Sequence, residues 1–280
     1  MAAVAVSTLC FAGCKNANDL LGEEFIDYTT KANKDTGAEV TASIDYTNET
    51  DDTERGIRLL NDKKKDIAVN IIMDDVASKS GFMSVIFNKT ENEDDTLNFI
   101  ALGFNSNTTG NKAKMACTYY KNVDKADFKK VDFGRTGADC KEILANTWFK
   151  SNISPDAEGK LNVGFVITAN KGSEPYTVRI YANKTAKELN DIADAIGSTK
   201  PDDDDVIGTP EKEFNITATE LGLERDADSA KIDAGIGFYA NVYEGKTLKG
   251  EWQVGDISFN PDGIIWEDEI PNTLNIQLAE

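Results

Sequence analysis

From Val40 onward, short apolar runs rich in β-branched and aromatic residues alternate with turn-forming stretches. The runs are VTASIDY (40–46), IAVNIIM (67–73), FMSVIFN (82–88), TLNFIALGF (96–104) and KAKMACTYY (112–120). They continue with LNVGFVITA (161–169), YTVRIYA (176–182), AGIGFYANVY (234–243), DISFN (256–260) and TLNIQL (273–278). Connections such as NKTENEDD and NSNTTGN are built from Asn, Asp, Thr and Gly, residues that favour turns because they tolerate left-handed backbone or bond to it locally. The pattern predicts an antiparallel all-β protein. One segment departs from it. In TAKELNDIADAIG, Thr185 and Glu188 form a capping box, Leu189, Ile192, Ala193 and Ile196 share one face, and Gly197 stands where a helix stops, so a short amphipathic helix is expected there.

The stretch GSTKPDDDDVIGTPEKE (197–213) combines Pro, Gly and four consecutive aspartates and reads as a solvated acidic loop or a linker. A linker would divide the chain into domains of residues 38–197 and 214–279, leaving ~65 residues in the second, marginal for an independent all-β fold. A single β-sandwich over 38–279, with its last strands closing the sheets begun by the first, is the preferred organisation.

Composition narrows the function. The chain of 280 residues carries 49 acidic and 30 basic side chains, a net charge of −19, which repels phosphate backbones and disfavours nucleic acid as a partner. Histidine is absent. That removes the Ser-His and Cys-His nucleophile pairs and every His-ligated metal site.

Residues 1–13, MAAVAVSTLCFAG, are apolar but shorter than the ~20 residues of a spanning helix and match the core of a signal peptide. The basic residues that normally precede such a core are missing, so the start is expected to lie upstream. Phe11-Ala12-Gly13-Cys14 resembles a bacterial lipobox, with Phe11 in place of the usual leucine as in the relaxed lipoboxes of spirochaetes. The resemblance implies acylation of Cys14, whose chains would hold the protein on a bilayer without a spanning helix. Residues 14–37 then serve as a polar tether.

The order GFMSVIFN, TLNFIALGF, KAKMACTYYKNV, LNVGFVITA, YTVRIYA and IDAGIGFYANVYEGKTLKGEW is similar to concanavalin-like and laminin-G-like jelly rolls. Together with the lipobox, the chain resembles surface lipoproteins of spirochaetes, of the treponemal type. The resemblance implies an antiparallel jelly-roll sandwich in the cell envelope, attached to the outer membrane and facing either the surface or the periplasm.

Candidate chemistry is sparse. Glu49, Asp51 and Glu54 have the Glu-x-Asp-x-x-Glu spacing that, in concanavalin-like glucanases, sets two carboxyl groups on one strand face about 5 Å apart. Their neighbours here are Thr, Asp and Thr, a polar run that reads as a loop. Asp202, Asp203, Asp204 and Asp205 could offer oxygens to calcium but lack the alternation that converges them on one point. Otherwise no cofactor is expected. Trp252, Trp148 and Trp266 are candidates for stacking on sugar or docking a partner, Trp252 being the one expected near a turn. Cys117 and Cys140 lie 23 positions apart and either form a disulfide, the favoured arrangement for an oxidising compartment, or are buried thiols.

These features point to a non-enzymatic, membrane-anchored module that binds glycan or extracellular-matrix protein. A glycan hydrolase using Glu49 and Glu54 and a structural envelope lipoprotein are the alternatives.

Overall fold

The computed structural model describes residues 35–38, 40–60, 66–94, 96–106, 114–124, 140–148, 153–170, 173–196, 204–221, 236–255 and 277–278. Cys14, the tether up to residue 34, Trp266, Asp202, Asp203 and the expected strand at 256–260 lie outside them.

The strands are β1 (Val40–Thr47), β2 (Glu54–Leu60), β3 (Asp66–Met73), β4 (Gly81–Glu91), β5 (Thr96–Asn105), β6 (Lys114–Asp124) and β7 (Cys140–Trp148). After them come β8 (Leu161–Ala169), β9 (Tyr176–Ala182), β10 (Lys212–Ile216), β11 (Ile236–Val242), β12 (Thr247–Val254) and β13 (Gln277–Leu278). Three α-helical segments intervene: α1 (Ala186–Ile196), α2 (Asp204–Ile207) and α3 (Ala218–Leu221). The strands form a seven-stranded sheet, β10-β9-β8-β3-β12-β1-β13, and a six-stranded sheet, β2-β11-β4-β5-β6-β7. We call these sheets A and B. Neighbours in both are antiparallel.

The chain crosses between sheets from β1 through β4, runs as a meander through β4–β7, returns to sheet A for β8–β10, and then inserts β11 into B and β12 into A. This wrapping makes the fold an all-β jelly-roll sandwich. Strands on the two sides of residues 197–213 share both sheets: β11 lies between β2 and β4, and β12 between β3 and β1.

The core follows from the two-residue period of the strands, which sends alternate side chains to opposite faces. Val69, Ile71 and Met73 of sheet A meet Met83, Val85 and Phe87 of sheet B, all of them buried. Specific contacts tie the layers. The Phe87 ring stands edge-on to Tyr176, with centroids 5.7 Å apart, and the Tyr176 hydroxyl donates to Asn88 Oδ1 at 2.8 Å. Asn88 has a φ of 54° where the β4–β5 register shifts, a left-handed conformation that asparagine adopts more readily than most residues.

Helix α1 covers part of the outer face of sheet A. Leu189 and Ile192 pack on Ala68, Val166 and Tyr181. Gly164 makes room for this: a Cβ there would fall 2.7 Å from Leu189 Cδ2. The start of the helix is capped as its sequence implies. The Thr185 amide donates to Glu188 Oε2 at 2.8 Å and the Glu188 amide to Thr185 Oγ1 at 3.2 Å. The fully buried positions are Ala186, Leu189, Ile192 and Ala195, whereas Ala193 and Ile196 sit at the margin of the contact.

Candidate functional site

The residues singled out from sequence do not converge. Glu49 and Asp51 are exposed in the β1–β2 loop, whose shape is set by the buried Asn48. Its Nδ2 donates to the carbonyls of Asp52 and Val242 at 2.7 and 2.9 Å, and its Oδ1 accepts from the Thr50 amide and hydroxyl at 2.9 and 2.8 Å. Both carboxylates thus ride on a turn rather than on a strand facing a cleft. Glu54 opens β2, and its side chain lies outside the described residues.

Trp252 is not exposed. It occupies the core with 0% of its surface accessible, because Leu248, Gly250, Trp252 and Val254 take the inward parity of β12, a central strand of sheet A. The turn near it comes earlier, at Gly245, where φ is 62°. Trp148 ends β7, its side chain outside the described residues. Tyr119 and Tyr120 are both buried, on opposite faces of sheet B.

The disulfide expected between Cys117 and Cys140 is not formed. Cys117 is a free thiol on the inner face of β6. Cys140 pairs in register with Tyr120, three residues farther along β6 and on the other face. Burial, and secondarily the charge of Glu220, push the Cys117 thiol well above its ordinary range, which keeps it protonated and inert. Of the aspartate run, Asp204 opens α2, and the side chains of Asp204 and Asp205 lie outside the described residues. Among the described residues no three His, Cys, Asp or Glu side chains gather to hold a metal ion.

The outer face of sheet B carries chemistry instead. In an antiparallel sandwich such a face is ordinarily polar. Here Phe82, Ile86, Phe99, Tyr120 and Tyr239 form an apolar cluster on it, with Phe99 and Tyr120 stacked at 5.1 Å. Ala101, Gly103 and Ala116 make a floor of small residues between them. Set into this surface are three polar side chains, fixed in place by register. Ser84 lies beside Tyr239, Thr118 beside Ala101, and Asn241 beside Phe82. They are 0%, 1% and 2% exposed. Ser84 Oγ, Thr118 Oγ1 and Asn241 Oδ1 have no hydrogen-bond partner. A buried polar atom left this way costs about 1–3 kcal/mol, and nearly all such atoms in folded proteins are paired. Gly103 lets Ser84 sit where it does, since a Cβ there would fall 2.6 Å from Ser84 Cβ and 2.0 Å from the Met83 carbonyl oxygen.

Reading the sequence for charged clusters passed these residues over. The available signal was one small polar residue in each of three strands otherwise apolar at both parities: Ser84 in GFMSVIF, Thr118 in KMACTYY and Asn241 in IGFYANV.

No family model matches the chain, and no curated protein matches it. Among solved structures it is similar to Scytalido-glutamic peptidase with a peptide based transition state analog, at 9% identity over 75% of this chain and 74% of that one, with a TM-score of 0.28. It is also similar to the native heptameric SAP-like pentraxin from Limulus polyphemus, at 12% identity over 86% and 91% of the two chains, with a TM-score of 0.30. At these TM-scores neither likeness speaks to what this chain does. Among the described residues no helix is long and apolar enough to cross a membrane.

Proposed function

We propose that the chain is an envelope lipoprotein, held on the outer membrane through acylated Cys14, that acts as a non-enzymatic recognition module for glycan or host protein. The observation that supports recognition is the set of three buried, unpartnered polar atoms on the aromatic face of sheet B. Ligand sites are mostly apolar surfaces with a few placed hydrogen-bonding groups, and hydrogen-bonding capacity left unmet inside the fold is available to a ligand. The rigid sandwich supplies the scaffold on which such groups keep their spacing.

Two measurements test the proposal. The full chain, applied to an array of glycans and extracellular-matrix proteins with and without chelator, is expected to bind a discrete subset, and a blank array from folded protein contradicts recognition. Cys14→Ala is expected to move the protein from the membrane fraction to the soluble one, and unchanged membrane association contradicts the acyl anchor.

A further inference from the structure

We infer that Ser84, Thr118 and Asn241 contact the ligand directly, and that the ligand is an uncharged, hydroxylated molecule of the neutral oligosaccharide class. The inference rests on the recognition reading above and deepens it.

The three groups suit such a ligand. Ser84 and Thr118 each offer a hydroxyl able to donate or accept, and Asn241 Oδ1 accepts only. A partner must therefore bring at least one donor and can bring acceptors too, as a sugar hydroxyl does. The Phe82 and Tyr239 rings beside Asn241 and Ser84 match the apolar C–H face of a sugar ring. The apolar cluster contains no charged side chain, so nothing in it would hold a sulfate, a phosphate or a carboxylate, and desolvating a charge there would be costly.

The spacing is that of an extended ligand. Asn241 is on β11, Ser84 on the adjacent β4 two residues along, and Thr118 on β6, two strands farther and two residues along again. With strands ~4.8 Å apart and ~3.4 Å per residue, the diagonal from Asn241 to Thr118 is about 20 Å, longer than one sugar ring. All three groups are buried as the chain stands. The ligand therefore exchanges for the packing that now covers the face, and its association is slower than diffusion-limited docking.

Retaining polar groups with no internal partner is a stability cost carried for function, and this gives the inference a readout apart from binding. Thr118→Val and Ser84→Ala remove the orphaned hydroxyls with little change of shape. Each is expected to raise the melting temperature by ~2–4 °C, the shift for about 1 kcal/mol in a chain of this size. Each is also expected to weaken binding to an array of neutral glucans, mannans and galactans by about tenfold, while Thr118→Ser retains it. A fall in melting temperature in both variants shows that the hydroxyls already have partners and overturns the inference. So does wild-type binding that the substitutions leave unchanged, or that is confined to sulfated glycans or to matrix proteins, in which cases recognition itself stands. If the wild type binds nothing, recognition and this inference fall together.

Discussion

The indole Nε1 of Trp252, on β12 of sheet A, donates a hydrogen bond to the backbone carbonyl of Ser84, on β4 of sheet B, at 3.0 Å across the core. Ser84 is thereby engaged on both sides of its sheet. Its carbonyl is tied to the core, and its side chain stands on the outer face without a partner. Trp252 also lies against Phe238 of β11, with ring centroids 5.6 Å apart, so one side chain of sheet A braces two adjacent strands of sheet B. Trp252→Phe is expected to destabilise the fold by about 2–4 kcal/mol through the lost hydrogen bond and the unfilled volume. Urea unfolding checks this, and an unchanged midpoint would mean the contact is dispensable.

Gly250 of β12 pairs with Ile44 on one side and Met73 on the other. A Cβ there would meet the Ile72 carbonyl oxygen at 2.4 Å and Met83 Sδ at 2.6 Å. The first of these is backbone and cannot swing aside. Gly250→Val is expected to cost about 1–3 kcal/mol or more by overpacking, read as a lowered melting temperature. A variant as stable as wild type would place β12 elsewhere.

The capping box at the start of α1 is sensitive to pH. The hydrogen bond from the Thr185 amide, aided by Lys184, holds the Glu188 carboxyl below its ordinary value of 4.5. A carboxylate with a depressed pKa contributes stability that is present above the unfolded value and lost as pH falls through the folded one. The difference in stability between wild type and Glu188→Gln should therefore be constant near neutrality and shrink below about pH 4.5. A difference that does not vary with pH in acid rules the cap out as its source. Thr185→Ala is expected to cost about 1 kcal/mol at neutral pH.

The Cys117 thiol should resist alkylation in the folded protein and react once urea unfolds it, because the thiolate is the reacting species and burial suppresses it. Peptide mapping after labelling under non-reducing conditions reads this directly. Recovery of a peptide linking Cys117 to Cys140 would contradict the register of β6 and β7.

Periodicity made the fold class and α1 legible from the sequence, because both depend on local alternation and capping. Ten apolar runs sufficed for an antiparallel sandwich, yet β2, β7, β10 and β12 were not among them. The omission of β12 matters most, since it is central to sheet A. In TLKGEWQV, Leu248, Trp252 and Val254 do alternate with Lys249, Glu251 and Gln253, but Gly250 occupies an inward position and reads as a turn when the neighbouring strands are unknown. Its reason is tertiary: Met83 of the opposite sheet fills that space. Trp252 was misplaced as a consequence. The parity of Cys117 and Cys140 depends on bulges in the β6–β7 pairing, which spacing alone does not reveal. Ser84, Thr118 and Asn241 are neither charged nor grouped in sequence; only the strand order brings them to one face.

Hydrogen–deuterium exchange of the full chain, with and without a millimolar mixture of neutral oligosaccharides, tests most directly where recognition takes place. Added protection concentrated on β4, β6 and β11, the strands bearing Ser84, Thr118 and Asn241, is the expected result. Protection confined to sheet A or to the loop carrying Glu49 and Asp51, or no change anywhere, would contradict a ligand face on sheet B.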